Sequence, residues 1–319
     1  MRQQLERIVA GGAPGVIAEV RRGPEVWRGA AGVADTATGR PRSVNERFRI
    51  GSVTKLFTAT VFLQLVAEER ADLDDSSRRL LNHTSGNFDY ADDPGFLADL
   101  TGPAFLTTRF RAYRPDELVA LAAAHPPVFA PGTAWRYSNT NYVLAGQLIE
   151  RATGNSYAEE VHRRIVRPLG LTGTHVPGTE TTLPEPHARH YSPLMVPDGE
   201  PHDVTELNAS YAWAAGAMVS TVGDLTRFLT ALLTGRLLPR AQQEQMFTPA
   251  PGSNYGLGIV HWQPSAGPAV WGHNGMIYGS FTIVAGTRDG GLVVAANVNS
   301  DHRDYPVETF TDLLRGIPT

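Results

Sequence analysis

The sequence predicts an α+β protein in which both ends of the chain build one antiparallel sheet. Strand-like segments lie near the two ends of the 319-residue chain, whereas the middle has helical spacing and little strand alternation. We therefore expect a discontinuous sheet domain, flanked by helices, over residues 1–70 and 251–319. Residues 71–250 are expected to form an inserted, mainly helical domain, with the functional site between the two.

The first 70 residues predict a helix, a hairpin and a buried helix. Residues 2–10 have helical spacing and end at two glycines, and residues 16–20 and 26–30 are predicted to be strands. The intervening Arg21-Arg-Gly-Pro24 is a typical hairpin connection. Apolar residues are too dense over 56–66 for a surface helix, so this helix is expected to be buried.

The rest of the chain changes from helical to strand patterns near residue 255. Pro- and Gly-rich connections separate the helical segments. Helices are predicted over 116–124, 141–152, 157–166, 225–233 and 305–314. Strands are predicted over 257–262, 269–272, 280–285 and 292–297.

The composition excludes several classes of function. With 42% hydrophobic and 19% charged residues the chain is expected to fold into a globular protein, and a net charge of -4 offers no basic field for nucleic acid. No apolar run is long enough to span a bilayer, and the N-terminal residues predict an amphipathic helix and not a signal peptide. The protein is thus expected in the cytoplasm or as a secreted mature form whose signal was removed.

Cysteine and histidine usage limits the chemistry further. The chain has no cysteine, which excludes disulfides, thiol nucleophiles and Cys-ligated metals. Its ten histidines show no metal-binding spacing, so we expect neither a metal nor another cofactor. We expect a monomer.

The segment Ser52-Val-Thr-Lys55 lies where a β-rich stretch gives way to the buried helix. If the helix begins near Ser52, a spacing of three places the hydroxyl and the ammonium on one face, within hydrogen-bond reach. A lysine can accept the serine proton only if burial and neighbouring cations lower its pKa by several units. Helix N-terminal N–H groups can also stabilise an oxyanion. Because Ser-x-x-Lys often arises by chance, the assignment depends on its companions.

Two companions follow in order, Tyr137-Ser-Asn139 and His273-Asn-Gly275. The three boxes together resemble the serine penicillin-recognising enzymes, in the variants found in class C β-lactamases and the Streptomyces-type D-alanyl-D-alanine carboxypeptidases. The sequence around the boxes also resembles that family. It comprises Gly12-Ala-Pro-Gly15, Gly32-Val-Ala-Asp35, Asn82-His-Thr-Ser-Gly86, Pro131-Gly132, Tyr137-Ser-Asn-Thr-Asn141, Gly216-Ala-Met218 and Tyr255-Gly-Leu-Gly258.

The resemblance implies a β-lactamase/D,D-peptidase-like fold and a set of catalytic roles. Ser52 is the implied nucleophile, and Lys55 and Tyr137 are the implied proton relay, with the acylation base left open between them. A phenol flanked by ammonium groups can have its pKa lowered enough to exchange a proton with the serine. His273 is expected to orient the lysine–tyrosine pair and to donate to the substrate.

The same resemblance implies the substrate-binding residues. Asn139 is expected to hold Lys55 and the acyl-side amide of the substrate, and Gly275 to let the substrate approach the backbone. The backbone N–H of Met276, with that of Ser52, is expected to form the oxyanion hole. Trp213 is expected in the cleft wall. Further aromatic candidates for the wall are Phe88, Tyr90 and Trp135.

The third box departs from the carboxypeptidase pattern. Those relatives hold the terminal carboxylate of the substrate with an arginine before the third box and a threonine inside it. Here Gly258-Ile-Val-His261-Trp has no arginine, and Asn274 and Met276 stand where the relatives have threonines. A neutral leaving group is therefore plausible unless His273 or a distant arginine binds the carboxylate. The candidate arginines are Arg136 and Arg288.

These residues predict a serine hydrolase that forms an acyl-enzyme on D-amino-acid peptides or β-lactams. An esterase, a D-stereospecific amidase or a peptide cyclase on the same scaffold are alternatives. A non-catalytic penicillin-binding module is a further alternative, although the three intact boxes count against it. His83-Thr-Ser-Gly86 is expected to be a structural turn and not a second site, because Ser85 has no base at helical spacing.

Overall fold

The structure is a computed structural model that describes residues 1–265, 267–303 and 305–313. The helices are α1 (Arg2–Ala10), α2 (Thr54–Ala67), α3 (Asp75–Leu81), α4 (Pro94–Leu100), α5 (Pro103–Thr108), α6 (Pro115–Ala123), α7 (Asn139–Thr153), α8 (Tyr157–Val161), α9 (Arg167–Leu169), α10 (Trp213–Gly216), α11 (Val222–Leu233), α12 (Arg240–Met246) and α13 (Glu308–Thr311). The strands are β1 (Gly15–Arg22), β2 (Glu25–Gly32), β3 (Phe48–Arg49), β4 (Tyr191–Ser192), β5 (His202–Asp203), β6 (Val219–Ser220), β7 (Val260–Trp262), β8 (Val270–Ile277), β9 (Ser280–Gly286) and β10 (Leu292–Val298).

Strands from both ends of the chain form one antiparallel sheet in the order β2-β1-β10-β9-β8-β7. The join between the two ends is the β1–β10 pair, in which Val16 lies opposite Val298. The α+β prediction is thus confirmed. The strand predicted over 269–272 is longer than expected and runs to Ile277, so the His-Asn-Gly box lies inside it. Gly272 and Gly275 weaken the local strand signal, and pairing with β9 supplies the order.

Two hydrophobic cores cover the two faces of the sheet. On one face α1 and α13 pack against the sheet. Leu5, Ile8 and Phe310 of these helices are buried against the strand residues that point to this face. On the other face α11 packs against β1, β9 and β10. The final helix is shorter than the prediction over 305–314, and residue 314 lies outside the described residues.

Helix α2 is buried on every side, as its composition predicts. Most of its residues, including Lys55, are inaccessible to solvent, and it packs against α7 and α10. A helix that is apolar all round belongs inside a protein. The packing of this helix therefore fixes the position of the residues at its N-terminus.

The predicted helices of the middle region are present with shifted ends. The segment predicted over 157–166 consists of α8 and a π-helical turn at His162–Val166, and α9 follows it directly. The short pairs β3–β6 and β4–β5 were not predicted. In the part of the chain that the structure describes, no helix combines the length and apolar character needed to cross a membrane. The division into a sheet domain and an inserted helical domain stays a prediction.

Candidate active site

Ser52 lies in a 3₁₀ turn, Gly51–Val53, that leads directly into α2. Strand β8 lies against this turn: a Cβ on Gly275 would overlap the carbonyl oxygen of Ile50 and lie 2.7 Å from the backbone nitrogen of Ser52. Similarly, a Cβ on Gly51 would lie 2.7 Å from the backbone nitrogen of Met276. Gly275 therefore allows the backbone of residues 50–52 to pack closely against β8. The expected role was to let the substrate approach the backbone. The backbone nitrogens of Ser52 and Met276, the two expected oxyanion-hole donors, thus both lie at this contact.

The ammonium nitrogen of Lys55 has three acceptors. It lies 3.0 Å from Ser52 Oγ, 2.8 Å from Asn139 Oδ1 and 2.7 Å from the carbonyl oxygen of Ala215. Burial lowers the pKa of Lys55 to about 7, against the opposing influence of the Asp89 carboxylate. Two of the acceptors can only accept, so the third direction of the nitrogen faces Ser52. A neutral Lys55 would accept the serine proton along that direction.

The phenol of Tyr137 donates to the same serine oxygen. The Tyr137 hydroxyl lies 2.6 Å from Ser52 Oγ, and Lys55 Nζ lies 4.7 Å from the centre of its ring. Burial raises the pKa of Tyr137, although its hydrogen bond to Ser52 acts in the other direction. The lowered pKa expected for this phenol is wrong, because the loss of hydration, reinforced by the charge of Asp89, outweighs the hydrogen bond to Ser52. The geometry favours the lysine as base and the tyrosine as proton donor.

Asn139 begins helix α7 and connects Lys55 to a carboxylate that the sequence analysis missed. Its Oδ1 accepts from Lys55, while its backbone N–H and its Nδ2 both donate to Asp89 Oδ2 at 3.0 Å. Burial raises the pKa of Asp89. One hydrogen on Nδ2 of Asn139 remains for a substrate. The available sequence signal for Asp89 was its position just after the Asn82-His-Thr-Ser-Gly86 element.

His273 lies behind the first layer of the site and contacts Tyr255. It is 2% exposed, its Nδ1 donates to the carbonyl of Asn274, and its Nε2 lies 2.8 Å from the hydroxyl of Tyr255. Among the described contacts it forms no hydrogen bond with the serine, the lysine or Tyr137. Burial, reinforced by Lys55, lowers the pKa of His273 to about 3. The imidazole is therefore neutral and cannot supply a positive charge to the site.

The ring of His83 packs between Tyr137 and Tyr255, at centroid distances of 4.4 and 4.7 Å. Its Nδ1 accepts from the backbone N–H of Ser138 and from Asn141 Nδ2, both at 3.2 Å. The His83 ring thus packs against the ring of Tyr137 and helps to hold it in place. Ser85 donates to Asn141 Oδ1 at 2.7 Å and not to a histidine. This geometry supports the expectation of a structural turn.

A cavity of about 240 Å³ opens beside Ser52. The polar groups of its lining belong to Ser52, Tyr90, Asn139, Tyr211, Tyr278 and Asp301. The rest of the lining is apolar and includes Phe96, Leu97, Leu100, Met195, Ala215, Gly216, Met276 and Ile277.

Several residues predicted to lie in the cleft wall lie elsewhere. The ring of Trp213 packs on Gly146 of α7 and against Tyr157, so that Ala215 and Gly216 form the wall in its place. Of the aromatic candidates, Tyr90 lines the cavity, Phe88 stacks on His125 at 4.0 Å and Trp135 lies beside His83. Asn274 is not among the lining residues, whereas Met276 is.

No cationic side chain lines the described cavity. Arg136 pairs with Asp92 at 3.1 Å, and Arg288 stacks on Phe247 at 3.9 Å from the ring centre. Neither arginine belongs to the lining. Of the described residues, Asp301 places a carboxylate in the cavity lining, and no local sequence pattern marked it in advance.

Comparisons with known proteins relate the chain to one family. Residues 1–316 match the family model described as Beta-lactamase. The chain is 34% identical over 215 residues to the esterase EstB of Burkholderia gladioli, covering 60% of this chain and 52% of that protein. The chain thus spans about half the length of this curated relative.

Two solved structures are similar over nearly their whole length. The D-stereospecific amidohydrolase from Streptomyces sp. is 45% identical, with 94% of this chain and 93% of that chain covered and a TM-score of 0.88. The D-amino acid amidase from Ochrobactrum anthropi SV3, complexed with L-phenylalanine amide, is 32% identical, with coverage of 98% and 94% and a TM-score of 0.82.

Proposed function

This chain belongs to the beta-lactamase family, and we propose that it is a D-stereospecific amidohydrolase that acts through an acyl-enzyme on Ser52. The observation that carries the proposal is the lining of the cavity beside Ser52, which among the described residues contains a carboxylate and no cationic side chain. A free terminal carboxylate entering this space would be unpaired and repelled, at a cost of several kcal/mol. An amide leaves as neutral ammonia or a neutral amine and carries no such charge.

In the first proposed step, Ser52 Oγ attacks the carbonyl carbon of the substrate. The serine proton passes to the neutral amine of Lys55, which lies 3.0 Å away and has a pKa of about 7. The hydroxyl of Tyr137 donates to the same oxygen and stabilises its developing charge. The N–H groups of Ser52 and Met276 receive the carbonyl oxygen as it becomes an oxyanion.

In the second step, the carbon–nitrogen bond breaks and the leaving nitrogen takes a proton. The proton held by Lys55 reaches it directly or through the phenol of Tyr137, which the burial of the ring keeps protonated. Water then attacks the ester on Ser52, with Lys55 as the base once more, and releases the free acid. Asn139 holds the lysine in place throughout and offers its remaining N–H to the acyl group.

Two relatives support the choice of amide and of D stereochemistry. The 45%-identical structure is named as a D-stereospecific amidohydrolase, and the 32%-identical one as a D-amino acid amidase. Both cover this chain almost completely. We carry this substrate class over to the present protein as part of the proposal. We also keep the proposals of a monomer and of a D-residue substrate from the sequence analysis.

The test is a comparison of kcat/KM between matched substrates. We expect D-phenylalanine amide to be hydrolysed faster than its L enantiomer, with Ser52→Ala as the inactive control. In the pair acetyl-D-Ala-D-Ala and its C-terminal amide, the amide should be preferred by at least about tenfold, since a buried unpaired carboxylate is costly. A tenfold preference for the free acid would instead indicate a carboxypeptidase. Turnover of phenylalanine methyl ester without turnover of either amide would indicate the esterase alternative.

A further inference from the structure

Asp301 is a half-buried carboxylate that the proposed acyl transfer does not use. Its Oδ2 accepts from Ser192 Oγ at 3.0 Å, and the N–H of Gly279 lies against the carboxylate. Its Oδ1 is buried without a hydrogen-bond partner among the described residues. Within the same described part of the chain, Asp301 forms no ion pair. Burial raises the pKa of Asp301 to about 6, so that it is mostly ionised at neutral pH.

A second unsatisfied polar atom lines the same cavity. The hydroxyl of Tyr211 is buried and, among the described residues, lacks a hydrogen-bond partner. Burial and neighbouring groups that include Asp301 raise the pKa of Tyr211. The nearby cation Arg49 is occupied, because it donates to the backbone carbonyls of Thr181, Thr205 and Leu207. Buried polar atoms normally have partners, so the two orphan oxygens indicate a missing donor.

The position of the carboxylate sets the length of the missing ligand. Gly279, which lies against Asp301, is in the two-residue turn between β8 and β9 and follows Met276 of the oxyanion hole by three residues, so at most about 10 Å separates the two residues along the chain. An α-ammonium nitrogen is only two bonds from the scissile carbonyl carbon and covers roughly 2.5 Å of that distance. The six bonds from a carbonyl carbon to the end of a lysine side chain extend roughly 7.5 Å. A charge-assisted hydrogen bond of about 2.8 Å covers the rest.

The walls between the two ends fit an alkyl chain. Leu97, Leu100, Met195 and Ile277 line the cavity, and the only ionised lining group is at Asp301 in the described part of the chain. Methylene groups gain from contact with such apolar walls while the ammonium remains at a polar end. A cavity with apolar walls and an anionic end favours the binding of a long basic side chain over a short or an acidic one.

We propose that the Asp301 end of the cavity binds the side chain of a basic D-residue on the acyl side of the scissile bond, of the length of lysine, with its ammonium between Asp301 and Tyr211, while the leaving group occupies the Ser52 end. This inference rests on the function proposed above, because it names the substrate class of the same site.

The test measures binding to the Ser52→Ala variant by calorimetry, so that it does not depend on turnover. The probes are D-lysinamide and D-norleucinamide, which share the alkyl chain but differ in the terminal ammonium. We expect D-lysinamide to bind at least about tenfold more tightly, the usual scale for a hydrogen bond between charged groups. Adding Asp301→Asn should abolish the preference, since asparagine can still accept from Ser192 and Gly279 but carries no charge. Adding Asp198→Asn, at an exposed position on the neighbouring loop, should leave it unchanged.

The Tyr211→Phe change provides a second variant, because it removes the orphan hydroxyl and leaves the ring. It should reduce the preference for D-lysinamide without changing the affinity for D-norleucinamide. Equal binding of the two amides, or a preference that survives both Asp301→Asn and Tyr211→Phe, would overturn the inference. Hydrolysis by the unmodified protein separates the two proposals. Turnover of both amides at equal kcat/KM refutes the basic-residue inference alone, whereas a binding preference without any amide turnover refutes the amidohydrolase proposal alone.

Discussion

The carboxylate of Asp89 holds Asn139 by two hydrogen bonds, one from the backbone N–H and one from the side-chain Nδ2, both to the same oxygen at 3.0 Å. This contact fixes the orientation of the carboxamide, so that its Oδ1 faces Lys55. Asn139 thus lies between Asp89 and Lys55. The buried carboxylate raises the pKa of the lysine through its charge, although the two side chains are not hydrogen-bonded. The predictions below concern the nucleophile, the proton relay, this carboxylate and the glycine beneath the nucleophile.

Ser52 should form a single covalent acyl adduct with a β-lactam or an activated ester. The serine oxygen already lies within hydrogen-bond distance of both Lys55 and Tyr137, the two groups proposed to activate it. Intact-protein mass spectrometry should show one added acyl mass that is absent in Ser52→Ala. An adduct of the same mass in the variant would assign the nucleophile to another residue.

Lys55→Ala and Tyr137→Phe should each lower kcat by at least about a hundredfold, the usual scale for a positioned proton-transfer group. Both side chains bond the same oxygen, so the double variant should lose little more than the more damaged single variant. Steady-state kinetics of the three variants decides this. If the two losses multiply, the residues act independently and the shared relay is wrong.

The rate should rise with pH through the pKa of Lys55. The reactive form is the neutral amine, whose fraction increases as pH rises past about 7, so kcat/KM should climb and then level off. Asp89 opposes the lowering of this pKa by favouring the ammonium. In Asp89→Asn the climb should therefore move to lower pH. The histidines that face Lys55, His83 and His273, have pKa values lowered by burial and by the lysine, so they stay neutral over this range.

The matched control for this prediction is Asp92→Asn. Asp92 is three residues away, is half exposed and pairs with Arg136. Its profile should stay close to that of the unmodified protein. A profile for Asp89→Asn that stays in place, or moves to higher pH, would contradict the electrostatic role of Asp89.

Gly275→Ala should damage both stability and activity. The added Cβ would overlap the carbonyl of Ile50 and lie 2.7 Å from the backbone nitrogen of Ser52. Both neighbours are backbone atoms and cannot move aside, so we expect a loss of about 1–3 kcal/mol in the free energy of unfolding. Thermal and denaturant unfolding measure this. Gly95→Ala in α4, where the nearest atom lies at 3.3 Å, is the control and should unfold at nearly the same midpoint.

The proximity of the proposed nucleophile and its proposed base was predictable because their relationship is local. A spacing of three residues on a helical backbone brings Ser52 and Lys55 together whatever the rest of the chain does, and the observed distance is 3.0 Å. The burial of α2 was equally visible, because its residues are apolar on all sides. Membership of the family followed from three boxes in a fixed order, and the comparisons confirm it. Tyr137 and Asn139 were named on that basis and lie beside the lysine.

Only the tertiary structure decided which distant groups act on this core. Asp89, Tyr255 and Asp301 carry no periodic signal, because each contacts residues far away in sequence. The direction of the Tyr137 pKa was predicted wrongly for the same reason: burial depends on the whole fold, whereas the sequence indicated only a neighbouring cation. Strand β8 looked too short because glycines hide its pattern, and its pairing with β9 extends it to the residues beside Ser52. Local spacing thus determined the proximity of Ser52 and Lys55, and long-range packing determined the pKa of the lysine and the cavity beside the serine.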